Sequence, residues 1–273
     1  MNKYTVFGNP IEQSKSPQIH QAFAAQFDMQ LDYDKRLAEI GEFKAAVDRL
    51  RSQGGKGANV TAPFKGDAFD MADNLTELAK LSEAVNTLTL NDDGTINGDT
   101  TDGPGLVLDL TIHKAPIKGA RILLIGAGGA ARGVLKPLLD CQPQQVVVCN
   151  RTHSRAQALA EKFSQFGNVV ALQADELETQ GYDLVINSSS SSLTFELPPV
   201  PATIFNSQTF AYDMSYKNQD TTFVTWAKDN NVATAIDGLG MLIGQAAESF
   251  YIWHGKKPDV RKVLTEMRDQ LTQ

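Results

Sequence analysis

The chain is expected to be an α/β protein, and three observations lead there. Over the second half, short apolar runs rich in β-branched residues alternate with stretches of helical periodicity, the pattern of a doubly wound parallel sheet. The first hundred residues alternate too, but differently, with a turn through Asp93-Gly94, and read as a separate α/β unit. The length, 273 residues, is enough for two ordinary domains.

Taken in order, a strand is expected at Tyr4 to Phe7. Ser16-Pro17 follows as N-cap and first residue of a helix whose apolar face is Ile19, Phe23 and Phe27. A strand near Leu31 to Lys35 leads to a helix over Glu42 to Gln53, stopped by Gly54-Gly55. Then come a short strand through Asn59-Val60, a helical stretch to about Leu81, and a hairpin from Asn86 to Leu90 toward Gly98. In the second half strands are read at Arg121 to Ile125, Gln145 to Cys149, Val169 to Leu172, Asp183 to Asn187, Phe210 to Met214 and Val232 to Ile236. Helices are read at Gly129 to Leu139, Ser154 to Phe163 and Thr222 to Lys228. Leu242, Ala246, Phe250 and Trp253 share one helix face, and Pro258 separates that helix from a last one over Val260 to Leu271. These two helices are expected to pack back on the first domain.

Composition narrows the function. Twenty-five Lys and Arg against 32 Asp and Glu give a net charge of −7, a field that repels nucleic acid and anionic membranes, so an anionic ligand must be held by local groups. The longest apolar run, Ile122 to Ala131, is too short and too rich in glycine and alanine to span a bilayer. The segment Met1 to Gly8 has no apolar core of a secretory signal, and the expected compartment is the cytoplasm. Cys141 and Cys149 lack a redox or metal spacing and are read as reduced, mostly buried thiols. The four histidines are scattered, so no metal is expected. Oligomeric state stays open between monomer and homodimer.

The strongest motif is Gly126-Ala127-Gly128-Gly129-Ala130-Ala131, directly after an expected strand and opening a helix. Such a loop allows a tight turn, lets the backbone approach a pyrophosphate, and offers the free N–H groups of a helix start to the anion. About twenty residues on, where a carboxylate would hold the ribose hydroxyls of NAD, stands Asn150, followed by Arg151, Thr152 and Arg155. A neutral amide, a hydroxyl and two guanidinium groups suit the 2′-phosphate of NADP. In the first domain polar groups cluster at Ser14-Lys15-Ser16, Asn59-Val60-Thr61, Pro63-Phe64-Lys65, Asn86-Thr87 and Thr100-Thr101-Asp102-Gly103. The serine run Ser188 to Ser192 is the one low-complexity stretch.

In order and along the whole chain, these motifs resemble those of the shikimate dehydrogenase family. The resemblance runs from Gly8-Asn9-Pro10 through Ala84-Val85-Asn86-Thr87, Thr101-Asp102-Gly103-x-Gly105 and the glycine loop to Asp237-Gly238, Met241-Leu242-x-x-Gln245 and Trp253-x-Gly255. It implies a substrate-binding domain of residues 1–101 with 238–273 and an NADP-binding Rossmann domain of 102–237. It implies Lys65 and Asp102 as the catalytic pair, with Ser14, Ser16, Thr61, Asn86, Tyr216 and Gln245 joining them around the substrate. NADP would be held by Gly126, Ala127, Gly128, Gly129, Ala130, Asn150, Arg151, Thr152, Arg155, Met214 and Gly238. The implied activity is the NADP-linked, reversible reduction of 3-dehydroshikimate to shikimate in aromatic amino-acid biosynthesis. Which of Lys65 and Asp102 shuttles the proton is left open. The alternatives are a quinate/shikimate dehydrogenase of broader specificity, another two-domain NADP enzyme such as a folate-linked dehydrogenase, and a dinucleotide-sensing module without chemistry. Departures from the family pattern are Ala62 for a usual Val, Glu83 for a usual Gly, the run Ser188 to Ser192 for a loop that normally contains Gly, and Lys217-Asn218-Gln219 where Pro is common.

Overall fold

The computed structural model describes residues 2–177 and 181–272; Met1 and Gln273, the outer limits of the expected first domain, lie outside them. In chain order the elements begin β1 (Lys3–Gly8), α1 (Ser16–Ala25), β2 (Asp32–Leu37), α2 (Phe43–Ser52), β3 (Gly55–Val60), α3 (Lys65–Met71), β4 (Asn74–Leu75), α4 (Glu77–Ser82), β5 (Thr87–Leu90), β6 (Ile96–Asp99) and α5 (Asp102–Ile112). They continue β7 (Arg121–Ile125), α6 (Gly129–Asp140), β8 (Gln145–Cys149), α7 (His153–Phe163), β9 (Val169–Ala171), β10 (Leu184–Asn187), β11 (Phe210–Asp213), α8 (Thr222–Asp229), β12 (Thr234–Asp237), α9 (Leu239–His254) and α10 (Val260–Thr272).

The chain divides into two compact units, Met1–Gly105 with Ile243–Val263, and Leu106–Leu242 with Leu264–Gln273. The boundaries between these units fall inside α5, α9 and α10. The end of α10 groups with the second unit, where Arg268 grips Asp237 through two hydrogen bonds of 3.0 and 2.5 Å.

In the first unit the sheet order is β2-β1-β3-β5-β6-β4. Strands β1, β2 and β3 run parallel, β5 is antiparallel to β3 and β6, and the Asn91-Asp92-Asp93-Gly94 turn closes the expected hairpin with Gly94 at φ +91°. The register sets Asn59 opposite Thr87, which places two polar side chains side by side in the interior. Phe7, Phe43, Val47, Leu50, Phe64 and Leu88 fill one core. Three expectations need correcting. Ser16 is the first helical residue of α1 and not its N-cap, because the Ser14 hydroxyl already accepts the Ser16 N–H at 3.3 Å. Phe27 lies beyond the end of that helix and is half-buried. The stretch from Lys65 to Leu81 is interrupted by β4, which pairs Asn74 and Leu75 with Asn97 and Gly98 before Thr76 caps α4.

The second unit carries the sheet β12-β11-β10-β7-β8-β9, parallel throughout, so the winding reverses at β7 and β10. Its strands are buried on both faces, as their continuous apolar runs require. The last strand begins at Thr234 and not Val232, since the Val232 N–H still closes α8 on the Ala227 carbonyl. Cys141 and Cys149 are free thiols, the former half-buried and the latter buried. Burial, with the Glu176 charge second, pushes the Cys149 thiol up to about 11, which leaves it unreactive. Among the described residues no helix is long and apolar enough to cross a membrane, and no group of three or more His, Cys, Asp or Glu is placed to hold a metal ion.

Candidate active site

Lys65 opens α3 and Asp102 opens α5, and their side chains meet at 2.5 Å between Nζ and Oδ2. The pair is partly open: the lysine side chain is 35% exposed and the carboxylate 18%. A carboxylate in the first turn of α5 sits where the helix dipole favours negative charge.

The other Asp102 oxygen is fixed by Asn86. The Thr101 backbone N–H donates to Asn86 Oδ1 at 2.9 Å, and the Thr87 hydroxyl does so at 2.9 Å. A backbone donor cannot reverse its role, so the amide stands one way round and its NH₂ faces Asp102 Oδ1 at 2.9 Å and Gln245 Oε1 at 3.3 Å. Four of the expected residues, Lys65, Asn86, Asp102 and Gln245, are thereby joined in one cluster of the first unit.

Glycine brings Gln245 there. A Cβ on Gly105 would come within 2.5 Å of the Gln245 backbone nitrogen, and one on Gly244 within 2.8 Å of the Gly105 carbonyl, so α5 and α9 touch through bare backbone. Ser14 and Ser16 are linked at 3.3 Å between hydroxyls, and Thr61 follows β3 with its methyl against the space a Gly8 side chain would need, 2.6 Å from such a Cβ. Tyr216 belongs to the second unit, on the segment after β11, where burial and then the Asp237 charge push its phenol up.

Beneath the cluster lies a buried polar layer that sequence reasoning did not assign. Asn59 donates to the Asn86 carbonyl, Thr87 Oγ1 and Ser249 Oγ at 3.2, 3.3 and 2.9 Å, and its own carbonyl oxygen takes a 2.7 Å bond from the Tyr33 phenol. His20 lies 3.1 Å from the same oxygen and stacks on Tyr33, their ring centroids 4.3 Å apart. Desolvation drives the fully buried His20 imidazole down to about 3, the Asn59 bond only partly opposing it, so the ring is neutral. The sequence signal was present in part, since Asn59 belongs to a quoted motif, but Ser249 lies 190 residues from it.

In the second unit the loops after β7, β8, β10, β11 and β12 all leave the carboxyl ends of the strands, where an open parallel sheet binds ligands at its switch point. Gly126 has φ +112°, and a Cβ there would meet the Ser188 hydroxyl at 2.7 Å. Gly128 and Gly129 face open space within 4 Å of a notional Cβ, and Gly128 is the N-cap of α6. Asn150 Nδ2 donates to the Thr152 carbonyl at 2.8 Å. Arg151, Thr152 and Arg155 are exposed, and neither arginine forms an ion pair among the described residues. An open glycine cradle at a helix start with two unpaired guanidinium groups fits a dinucleotide carrying an extra phosphate. Met214 and Gly238 lie side by side, a Cβ on Gly238 meeting the Met214 carbonyl at 2.4 Å.

The departures also have structural correlates. Glu83 adopts φ +51° at the end of α4, the left-handed conformation that glycine takes without strain. None of Ser188 to Ser192 has positive φ; Phe195 takes it, at +60°.

Comparison with known proteins matches three segments of the chain. Residues 6–88 match the family described as shikimate dehydrogenase substrate binding domain, residues 109–198 the shikimate / quinate 5-dehydrogenase family, and residues 238–268 the shikimate 5'-dehydrogenase C-terminal domain. The shikimate dehydrogenase (NADP(+)) of Vibrio atlanticus is 54% identical over 271 residues, covering 99% of this chain and 98% of its own. Among solved structures, an Ael1 enzyme from Pseudomonas putida superposes with a TM-score of 0.93 at 40% identity over 97% of this chain and 98% of its own. Shikimate 5-dehydrogenase from Thermus thermophilus, solved in complex with NADP(H) and shikimate, has a TM-score of 0.87 at 28% identity over 99% of this chain and 100% of its own.

Proposed function

The chain belongs to the shikimate dehydrogenase family, and from that premise we propose that it catalyses the reversible, NADP-dependent reduction of 3-dehydroshikimate to shikimate, a step of aromatic amino-acid biosynthesis. The observation that carries the reading is the Lys65–Asp102 pair at 2.5 Å, fixed from behind by Asn86 and flanked by Gln245 in the first unit.

NADPH, when bound, supplies the hydride that a ketone takes up. Reduction leaves an oxygen that needs a proton, and Lys65 is the group with protons to give. Asp102 accepts on both oxygens, one bond from Lys65 and one from Asn86, so its part is to hold the ammonium in place. In the oxidative direction the same lysine takes the hydroxyl proton. The hydroxyls of Ser14, Ser16 and Thr61 are proposed to meet the substrate carboxylate, by geometry more than by charge, and Asn86, Asp102 and Gln245 its ring hydroxyls. Tyr216 is proposed as a further substrate contact. Gly126 to Ala130 would hold the pyrophosphate on the N–H groups opening α6, Asn150, Arg151, Thr152 and Arg155 the 2′-phosphate, and Met214 and Gly238 the rest of the dinucleotide. Residues 1–101 with 238–273 and 102–237 remain the proposed functional domains. The proposal includes work in the cytoplasm, where two free thiols and NADP are both at home, as a monomer or homodimer.

Lys65→Met tests the assignment. With shikimate and NADP the variant is expected to lose roughly 10²- to 10⁴-fold in kcat while its shikimate Kd changes little, because the proton moves only in the transition state. A variant that keeps more than half the wild-type kcat removes Lys65 from the role.

A further inference from the structure

The serine run after β10 has no part in the chemistry above, yet its last hydroxyl ends on a buried charge. Asp213, the final residue of β11, has no exposed surface and accepts four hydrogen bonds. Ser192 Oγ and Thr221 Oγ1 donate to Oδ2 at 2.5 and 2.6 Å, and the Ser215 N–H and Asn187 Nδ2 donate to Oδ1 at 3.0 and 3.3 Å. Those donors come from four places: the loop after β10, the N-cap of α8, the segment leaving β11, and the end of β10. Each donor withdrawn leaves part of a buried carboxylate uncompensated, so the four segments are tied to one another through it.

The bond to Ser215 N–H shapes the turn at Met214-Ser215-Tyr216. The same turn is held by the Met214 N–H on the Asn187 carbonyl at 2.9 Å and by the Gly238 N–H on the Ser215 carbonyl at 2.9 Å. A side chain at Gly238 would strike the Met214 carbonyl, so the two segments lie backbone to backbone. A second tie runs the other way. Lys217 Nζ, just past the turn, donates to the Ser192 carbonyl at 2.7 Å and lies 3.6 Å from the centroid of the Phe195 ring. Ser192 is therefore gripped at both ends, its hydroxyl by Asp213 and its carbonyl by Lys217.

We propose that Asp213 and Ser192 are positioning residues for the dinucleotide: Ser192 loads the buried carboxylate, and the loaded carboxylate sets the turn that presents Met214 beside Gly238. The inference rests on the reading above that Met214 and Gly238 serve NADP. The serine run is then a clasp between two strand ends, and its hydroxyls are used inward: Ser188 on the Ile125 carbonyl, Ser189 on Asn187, Ser192 on Asp213.

The test is NADP and shikimate binding, each measured alone by calorimetry on the full chain, for wild type, Ser192→Ala, Ser192→Thr and Asp213→Asn, with Tm for each. Ser192→Ala is expected to raise the NADP Kd about 5- to 20-fold, the effect of stranding one acceptor of a buried charge, with the shikimate Kd within about 2-fold of wild type. Ser192→Thr keeps the hydroxyl and should recover most of the NADP affinity. If Asp213→Asn does not fold, the single-hydroxyl variant and its threonine rescue decide alone. An unchanged NADP Kd in Ser192→Ala overturns the proposal, as does a loss of both affinities together with a fall in Tm, which would mark a purely structural role. Wild-type protein that binds shikimate but not NADP overturns the functional reading itself, an outcome visible before any variant is compared.

Discussion

Asn86 shows how much chemistry a single neutral side chain can fix: a backbone N–H from Thr101 decides which end of its amide is which, and that end decides where Asp102 points. That Lys65 and Asp102 belong together was expected only from the family resemblance, since each motif alone reads as a surface charge or a helix cap, and the structure brings the two side chains into contact. The layer beneath was not legible, because Asn59, Thr87 and Ser249 are uncharged residues far apart in the chain, and only the β3–β5 register and the seating of α9 bring them together. From sequence either Ser14 or Ser16 can cap α1, and only the fold shows that the Ser14 hydroxyl takes the Ser16 N–H. Cofactor choice is also decided at this scale. The chain's net charge of −7 gives no long-range help to a phosphate, so the proposed source of a preference for NADP is local, at Asn150, Arg151, Thr152 and Arg155. A close unit-charge contact keeps about 1 to 2 kcal/mol after desolvation. Asn150→Asp with Arg151→Ala replaces attraction by repulsion and gives NAD ribose an acceptor. The NADP preference in kcat/KM should collapse or invert while kcat at saturating cofactor changes little; a double variant with its original preference would move the phosphate site elsewhere.

At the level of elements, helix and strand identity followed from periodicity; the missed element is the one that tertiary pairing makes, and the other errors are local, at element ends. Strand β4 is two residues long and exists only because β6 offers it a partner. The approach of α5 to α9 was not read from the sequence: Gly105 belongs to a quoted motif, but nothing local says what it must admit. Its replacement by alanine requires a shift against the Gln245 backbone, since backbone cannot swing aside as a flexible side chain would. Gly105→Ala is expected to cost about 1 to 3 kcal/mol in unfolding free energy and to raise the KM for shikimate through the displaced Gln245. Gly66→Ala, in a helix and with nothing within 4 Å of the added Cβ, should be neutral or slightly stabilising. Denaturant unfolding of the two variants separates them; equal stabilities would mean that the α5–α9 contact is loose enough to absorb a methyl group.

For the whole molecule, the two-unit plan was legible from the change of rhythm near residue 100, whereas the division inside α5, α9 and α10 was not, since a helix shows no break in sequence where it passes from one unit to the other. Global stability carries a pH signature from the first unit's interior. His20 is held neutral, its value lowered to about 3 by desolvation, while an unfolded histidine titrates near 6.5. Between those values the unfolded chain binds more protons, so this stabilisation is present above about pH 6.5 and is lost as the pH falls toward 3, by up to about 5 kcal/mol. His20→Gln, which keeps an N–H for Asn59 but cannot titrate, should lose less stability than wild type between pH 7 and pH 4.5 in urea unfolding; parallel losses would place the acid sensitivity elsewhere. One assay of the intact protein decides most directly what it does: kcat/KM for shikimate and for quinate, each with NADP and with NAD. Shikimate with NADP should be the best pair, ahead of shikimate with NAD by a factor on the order of tens to several hundred. Equal use of quinate or of NAD would make it a broader dehydrogenase, and no turnover of any pair by protein that binds NADP would contradict the account outright, leaving a dinucleotide-binding module in its place.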